Sequence, residues 1–167
     1  LQGEKDVISL AQNEEQAYVE IFSIRNSKLI GQDHFVMEGI QGESPGQIMT
    51  SFVKQYYASA SYIPPLILLQ HPIDEPAVLS EWLGQQRGGR VELQVPQRGA
   101  KKKLVDTAAE NAAQGLQLAQ AKEMKVEVIS SGLQELKNRL RLPKIPLRIE
   151  CYDVSNIQGA WAVSSMV

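Results

Sequence analysis

The chain has 167 residues, of which 43% are hydrophobic and 22% charged, with a formal net charge of −2. That composition is ordinary for a folded globular chain of one domain or two small ones. It excludes nucleic-acid binding through overall charge and leaves only local basic surfaces for that role. Cys151 is the single cysteine, which excludes an internal disulfide and a cysteine-rich zinc site, and no apolar run approaches the roughly 18 residues of a membrane span.

Val7 to Leu10 is a short apolar run, followed by a polar turn over Gln12 to Gln16. Ala17 to Ile24, A-Y-V-E-I-F-S-I, is aromatic and β-branched and reads as a strand. Arg25-Asn26-Ser27-Lys28 is a turn, and Leu29 to Met37 a third strand with Gly31 at a possible bulge. Ser44-Pro45 predicts an N-cap and a first-turn proline, opening a helix to about Ala60. Its inner face is Ile48, Met49, Phe52, Val53, Tyr56 and Tyr57 at helical spacing. Leu66 to Leu69, L-I-L-L, predicts a strand buried on both faces. A second helix is expected over Glu75 to Gln86, packing through Leu79, Trp82 and Leu83, and then a strand over Val91 to Val95.

After the loop Pro96-Gln97-Arg98-Gly99, a long helix is expected from about Lys101 to Lys122, facing inward through Leu104, Val105, Ala108, Ala112, Leu116 and Ala119. Residues 123–130 resist placement. Another helix is expected from about Ser131 to Leu142, then a linker marked by Pro143 and Pro146. The stretch Arg148 to Gly159, R-I-E-C-Y-D-V-S-N-I-Q-G, reads as a strand, with Trp161 to Val167 as its hairpin partner. The chain closes abruptly on the apolar run V-S-S-M-V and is expected to be a fragment of a longer protein.

Three meandering strands followed by alternating helices and strands predict an α/β chain with a mixed sheet, on the plan of an RNase H-like fold. An active version would want an acid in its first strand and at the end of its fourth. Val7-Ile8-Ser9-Leu10 has none, and Leu66 to Leu69 ends in Gln70-His71. Residues 1–122 are therefore expected to form an RNase H-like module without catalytic activity. A helix and linker follow over 123–146, and 147–167 are expected to open a second such domain.

Four cations, Arg98, Lys101, Lys102 and Lys103, stand at a loop-to-helix junction. Cations there oppose the helix dipole, so an anionic partner such as a DNA phosphate would account for them; a solvated run would account for them too. A second run, Lys137, Arg139, Arg141, Lys144 and Arg148, contains no acid between its ends and has the same two readings. His34 and His71 lack companions at ligand spacing and are expected to be structural, as are Trp82, Tyr56 and Tyr57.

Asp153 is an acid within an apolar strand, on the same face as Ile149 and Cys151 and opposite Glu150 and Tyr152. A carboxylate so placed suits a divalent metal such as Mg²⁺ or Mn²⁺ in a nuclease. It equally suits a strand-end cap on a turn at Ser155-Asn156, and the pattern does not separate the two.

R-I-E-C-Y-D-V-S-N-I-Q-G followed by V-S-S-M-V closely resembles the UvrC family, the incising component of the ABC excinuclease of bacterial nucleotide excision repair. The upstream segments D-V-I-S-L-A, K-L-I-G-x-x-H-F, Q-Y-Y with I-P-P, V-P-Q-R-G-x-K-K-x-L-V and A-x-x-N-A resemble the middle of the same family. The resemblance implies a bacterial cytoplasmic protein that joins UvrB on damaged DNA and cuts on both sides of a lesion. It implies that Asp153 is the first acid of an Asp-Asp-His metal site using Mg²⁺ or Mn²⁺, and that the other ligands lie later in the sequence. Asn156 stands where many relatives have His. It also implies that this stretch alone binds no such metal and does not cut DNA. The reading from another class is a purely non-catalytic DNA- or protein-binding scaffold; an independent small enzyme built on His34 or His71 is disfavoured, because no base–nucleophile arrangement is visible.

Overall fold

A computed structural model describes residues 3–150, 152–157 and 161–166. They divide into two compact units, Leu1–Gln120 and Ala121–Val167.

The first unit is built on β1 (Lys5–Gln12), β2 (Gln16–Arg25) and β3 (Lys28–Glu38), an antiparallel meander. The β1–β2 turn is tied by Asn13, whose side-chain oxygen accepts from the backbone N–H of Glu15 and Gln16 at 2.9 and 2.7 Å. Arg25 pairs with Lys28 across a two-residue hairpin in which Asn26 and Ser27 both have positive φ, 50° and 62°. That is the twist-matched turn expected between two antiparallel strands, and Asn tolerates it well. The register shifts between Ser23 and Ile24, which leaves Ile30 as the extra residue of a bulge beside Gly31, close to its expected place.

α1 (Pro45–Ser59) begins with a capping box: the Ser44 hydroxyl accepts from the Gln47 N–H, and the Gln47 side chain accepts from the Ser44 N–H. β4 (Leu66–Leu69), α2 (Pro76–Arg87) and β5 (Glu92–Gln94) follow. Gly88, in the left-handed region at φ 73°, ends α2, and the Gly89 N–H closes back on the Gly84 carbonyl at 3.0 Å. β4 runs parallel to β1, and β5 parallel to β4, giving the sheet order β3-β2-β1-β4-β5.

Alternation along the strands explains the layering. Ile8, Leu10, Val19, Ile21, Ile67 and Leu69 face one way and pack with Ile48, Phe52, Tyr57, Leu79 and Leu83 from α1 and α2. Val7, Phe22, Ile24 and Leu68 face the other way, against Val105 and Ala108. Both faces of L-I-L-L are therefore covered, as its uninterrupted apolar character predicts.

α3 (Gly99–Arg139) is one helix of 41 residues, where the sequence reading ends a helix near Lys122, leaves 123–130 unplaced and starts a new helix near Ser131. The segment holds β-branched Val126, Val128 and Ile129, which lower helix propensity by only tenths of a kcal/mol each. It holds neither Gly nor Pro, so nothing stops the helix. Its N-terminal half is buried through Val105, Ala108, Ala112 and Leu116, as the spacing predicts. The helix ends where Arg141 takes a left-handed conformation, φ 52°, and the Leu142 N–H reaches the Lys137 carbonyl at 2.9 Å.

At Gly115, α3 passes close against the Tyr18 side chain of the sheet. A Cβ built there would stand 2.3 Å from the Tyr18 ring, which is itself stacked on His34 with 5.1 Å between centroids. Gly115→Val is expected to destabilise the fold by about 1–3 kcal/mol through overpacking, measured by urea denaturation. A variant as stable as the parent would show that Tyr18 swings aside freely.

The second unit contains the remainder of α3 and the antiparallel pair β6 (Tyr152–Ile157) and β7 (Trp161–Met166). Among the described residues, no helix is long and apolar enough to cross a membrane.

Candidate functional site

β1 reaches back to Lys5, beyond the expected start at Val7, and so it contains an acid that the sequence reading left outside the strand. Asp6 is 1% exposed. Its Oδ1 accepts from Arg25 Nη1 at 2.8 Å, and its Oδ2 accepts from the Tyr57 hydroxyl at 2.7 Å. The same Arg25 nitrogen donates to the Lys5 and Ile24 carbonyls at 2.9 Å each, and the guanidinium lies 4.6 Å from the centre of the Tyr62 ring. Burial pushes the Asp6 carboxyl above its usual range against the opposing pull of Tyr57 and Arg25, and the Tyr57 hydroxyl is raised by its own burial and by Asp6. Both carboxylate oxygens are thus committed to protein partners. The arrangement is a buried ion pair that locks β1 to β2 and α1.

At the C-terminal edges of β1 and β4, an amide stands in place of an acid. Gln70 Oε1 accepts from the Leu10 N–H at 2.7 Å, and the Gln70 N–H donates to the Ile8 carbonyl at 3.1 Å. His71 is lowered by burial and then by the charge of Lys102. His34 stacks on Tyr18 and pairs in register with Glu20, whose carboxyl is raised by burial and whose Oε1 is buried without a hydrogen bond. Tyr57 is fully buried and Trp82 packs against the same core, whereas Tyr56 is only partly covered. Among the described residues, no three His, Cys, Asp or Glu side chains converge as a metal site would require.

The first basic group is partly engaged locally. Lys101 Nζ donates to Gln94 Oε1 at 2.8 Å, and Lys102 pairs with Asp106 one turn along the helix. Arg98 and Lys103 are exposed. Lys5 lies nearby, its ammonium lowered by burial and then by the charge of Lys101.

The second group lies in the other unit. Arg139, Arg141, Lys144 and Arg148 are exposed. Although the run itself lacks acids, Glu135 and Glu150 flank it, and they pair with Arg139 and Arg148 at 2.7 and 2.6 Å. Such exposed pairs contribute little to stability.

Asp153 is the second residue of β6 and pairs in register with Ser165. Ser155 and Asn156 are themselves strand residues, opposite Val163 and Ala162. The segment the sequence reading offered as a turn is thus part of the strand. Cys151, Gly159 and Val167 lie outside the described residues.

Two family models match in succession. The one described as "UvrC Ribonuclease H-like domain" covers residues 4–119, and the one described as "UvrC RNAse H endonuclease domain" covers residues 137–167. The chain is 40% identical over 164 residues to "UvrABC system protein C" of Clostridioides difficile, covering 98% of this chain and 27% of the relative. It is 43% identical over 166 residues to the protein of the same name from Dehalococcoides mccartyi, covering 99% and 27%. It is 42% identical over 162 residues to that from Moorella thermoacetica, covering 96% and 26%. The chain thus spans about a quarter of the length of the curated relatives it matches. With the sheet order of the meander fold and a family model over more than two-thirds of its length, the chain belongs to the UvrC family and carries that family's RNase H-like fold.

Proposed function

We propose that the chain is the RNase H-like portion of a nucleotide excision repair protein that works with UvrB on damaged DNA in the bacterial cytoplasm and incises on both sides of a lesion. Residues 1–122 serve as a non-catalytic scaffold and DNA-contact module, 123–146 as helix and connection, and 147–167 as the opening of the endonuclease domain. The observation that carries this reading is the succession of two distinct UvrC RNase H-type matches, with Asp153 inside the strand pair that belongs to the second.

The first module's strand acid supports its non-catalytic role, because Asp6 is already saturated by Arg25 and Tyr57. Asp153 acts as the first acidic ligand of a site for Mg²⁺ or Mn²⁺. Such an ion takes about six oxygen ligands, and the described residues offer no converging set. One carboxylate cannot hold such an ion by itself, so this reading calls for further ligands beside Asp153.

Arg98 and Lys101–Lys103 in the first unit, and Arg139, Arg141, Lys144 and Arg148 in the second, are the proposed phosphate contacts. Purified chain should bind duplex DNA with an affinity that falls as salt rises. Reversing Lys101, Lys102 and Lys103 to Glu should weaken binding for all sequences alike and reduce the salt slope by about one unit for each phosphate no longer neutralised, read by fluorescence anisotropy. Unchanged affinity would remove this corner from the interface. The chain alone should leave lesion-bearing duplex uncut in Mg²⁺ or Mn²⁺; cleavage abolished by Asp153→Ala would overturn that assignment.

A further inference from the structure

A cavity of about 620 Å³ opens between the β2–β3 hairpin, α1 and the segment that follows α1. Its volume lies in the range of small-molecule sites. Phe52, only 4% exposed, and Tyr56 line it with nearly parallel rings, 5.6 Å between centroids and 19° apart. Phe35 tilts against both, at 5.4 and 5.6 Å, and remains 38% exposed. On the other side Tyr62, 44% exposed, covers the Arg25 guanidinium. Gln55 adds an exposed side-chain amide at the rim.

Four aromatic rings around one concave surface, two of them substantially in water, are more than the core needs. Phe52 and Tyr57 already close it from this side. Arg25 is neutralised by Asp6, so the cavity presents flat apolar surface, a planar guanidinium and an amide, with no net charge to hold an anion. That combination suits a neutral, planar, heteroatom-edged ring rather than a phosphate. Stacking on aromatic and guanidinium planes is how unpaired bases are held without regard to sequence.

We infer that this cavity takes an unpaired nucleobase of the bound DNA, its ring against Phe35 and Tyr56 and its edge toward Gln55. The inference rests on the proposed DNA-contact role, and it makes the first module the holder of a base from strand that is not in duplex.

The test uses the whole chain and two probes, a short single-stranded oligodeoxynucleotide and a strand of equal length made of abasic sites. The intact strand should bind roughly 5- to 150-fold more tightly, the range expected for stacking one base. Phe35→Ala, and separately Phe35→Leu, which keeps apolar bulk but removes the ring, should bring the intact strand to the abasic level while leaving abasic binding unchanged. A 2-aminopurine in the intact strand should be quenched by the parent chain and not by either variant. Equal affinity for the two strands would overturn the base pocket and leave the DNA-contact reading standing. Failure of the chain to bind either strand would overturn both. Retained quenching in Phe35→Leu, the variant less able to disturb the fold, would place the base elsewhere.

Discussion

Asp153→Asn in the full-length protein is expected to abolish the metal-dependent incision proposed above for this domain, measured on lesion-containing duplex. The substitution keeps the volume and removes the charge, so β6 and its pairing with β7 should persist. Losing an outer-sphere partner of a metal costs roughly 10–100-fold; losing a direct carboxylate ligand should exceed that. DNA affinity should be unchanged, because the proposed phosphate contacts lie on other residues. The measurement is incision in Mg²⁺ or Mn²⁺ beside DNA binding and circular dichroism of the same preparation. Incision near the parental rate would show that Asp153 is a structural strand residue. Ser155 and Asn156, the segment the sequence reading offered as a turn, continue the ladder.

Arg25→Met should destabilise the first unit by about 3–5 kcal/mol, the usual result of stranding one partner of a buried pair. Asp6 would keep the Tyr57 hydroxyl but lose its counter-charge, and the Lys5 and Ile24 carbonyls would lose their shared donor. The pH dependence has a definite sign. Burial already raises the Asp6 carboxyl above the ordinary 3.8, and removing Arg25 raises it further. The native state then holds a proton that the unfolded chain has released, so stability falls as pH rises above about 4 and is regained as pH drops through the folded-state value. Urea denaturation from pH 4 to 8 should show a steeper decline for Arg25→Met than for the parent. Adding Asp6→Asn should recover most of the loss and flatten the profile; no recovery would mean that Arg25 matters through its carbonyls and Tyr62 instead.

Much of the architecture was legible because it rests on local chemistry. The Ser44-Pro45 cap, the Asn26-Ser27 turn and the doubly buried L-I-L-L each follow from one or a few adjacent residues. The strand around Asp153 was legible for the same reason, as an apolar run within a specific motif. Asp6 was not. It sits one residue inside a strand whose polar start, Lys5-Asp6, carries no strand signal, and its partners Arg25 and Tyr57 are 19 and 51 residues away. Period-two spacing of Asp6, Ile8 and Leu10 was the available clue. The continuity of α3 was missed because Val126, Val128 and Ile129 weaken a helix pattern without interrupting it. The aromatic cavity had no sequence signal, because Phe35, Tyr56 and Tyr62 come from three separate segments.

The two edges of the sheet meet solvent differently, and this bears on how the chain behaves before it is fully folded. β5 is three residues long and offers little to another strand. β3 is eleven residues long, pairs on one side only, and exposes Leu29, Ile30, Phe35 and Val36. An open apolar edge of that length is a template for intermolecular strand addition. The extra residue at Ile30 breaks its hydrogen-bond spacing, and Lys28, Asp33 and Glu38 distribute charge along it. An interrupted ladder works against such strand addition, and deleting Ile30 is expected to give a more regular hairpin and a stickier chain.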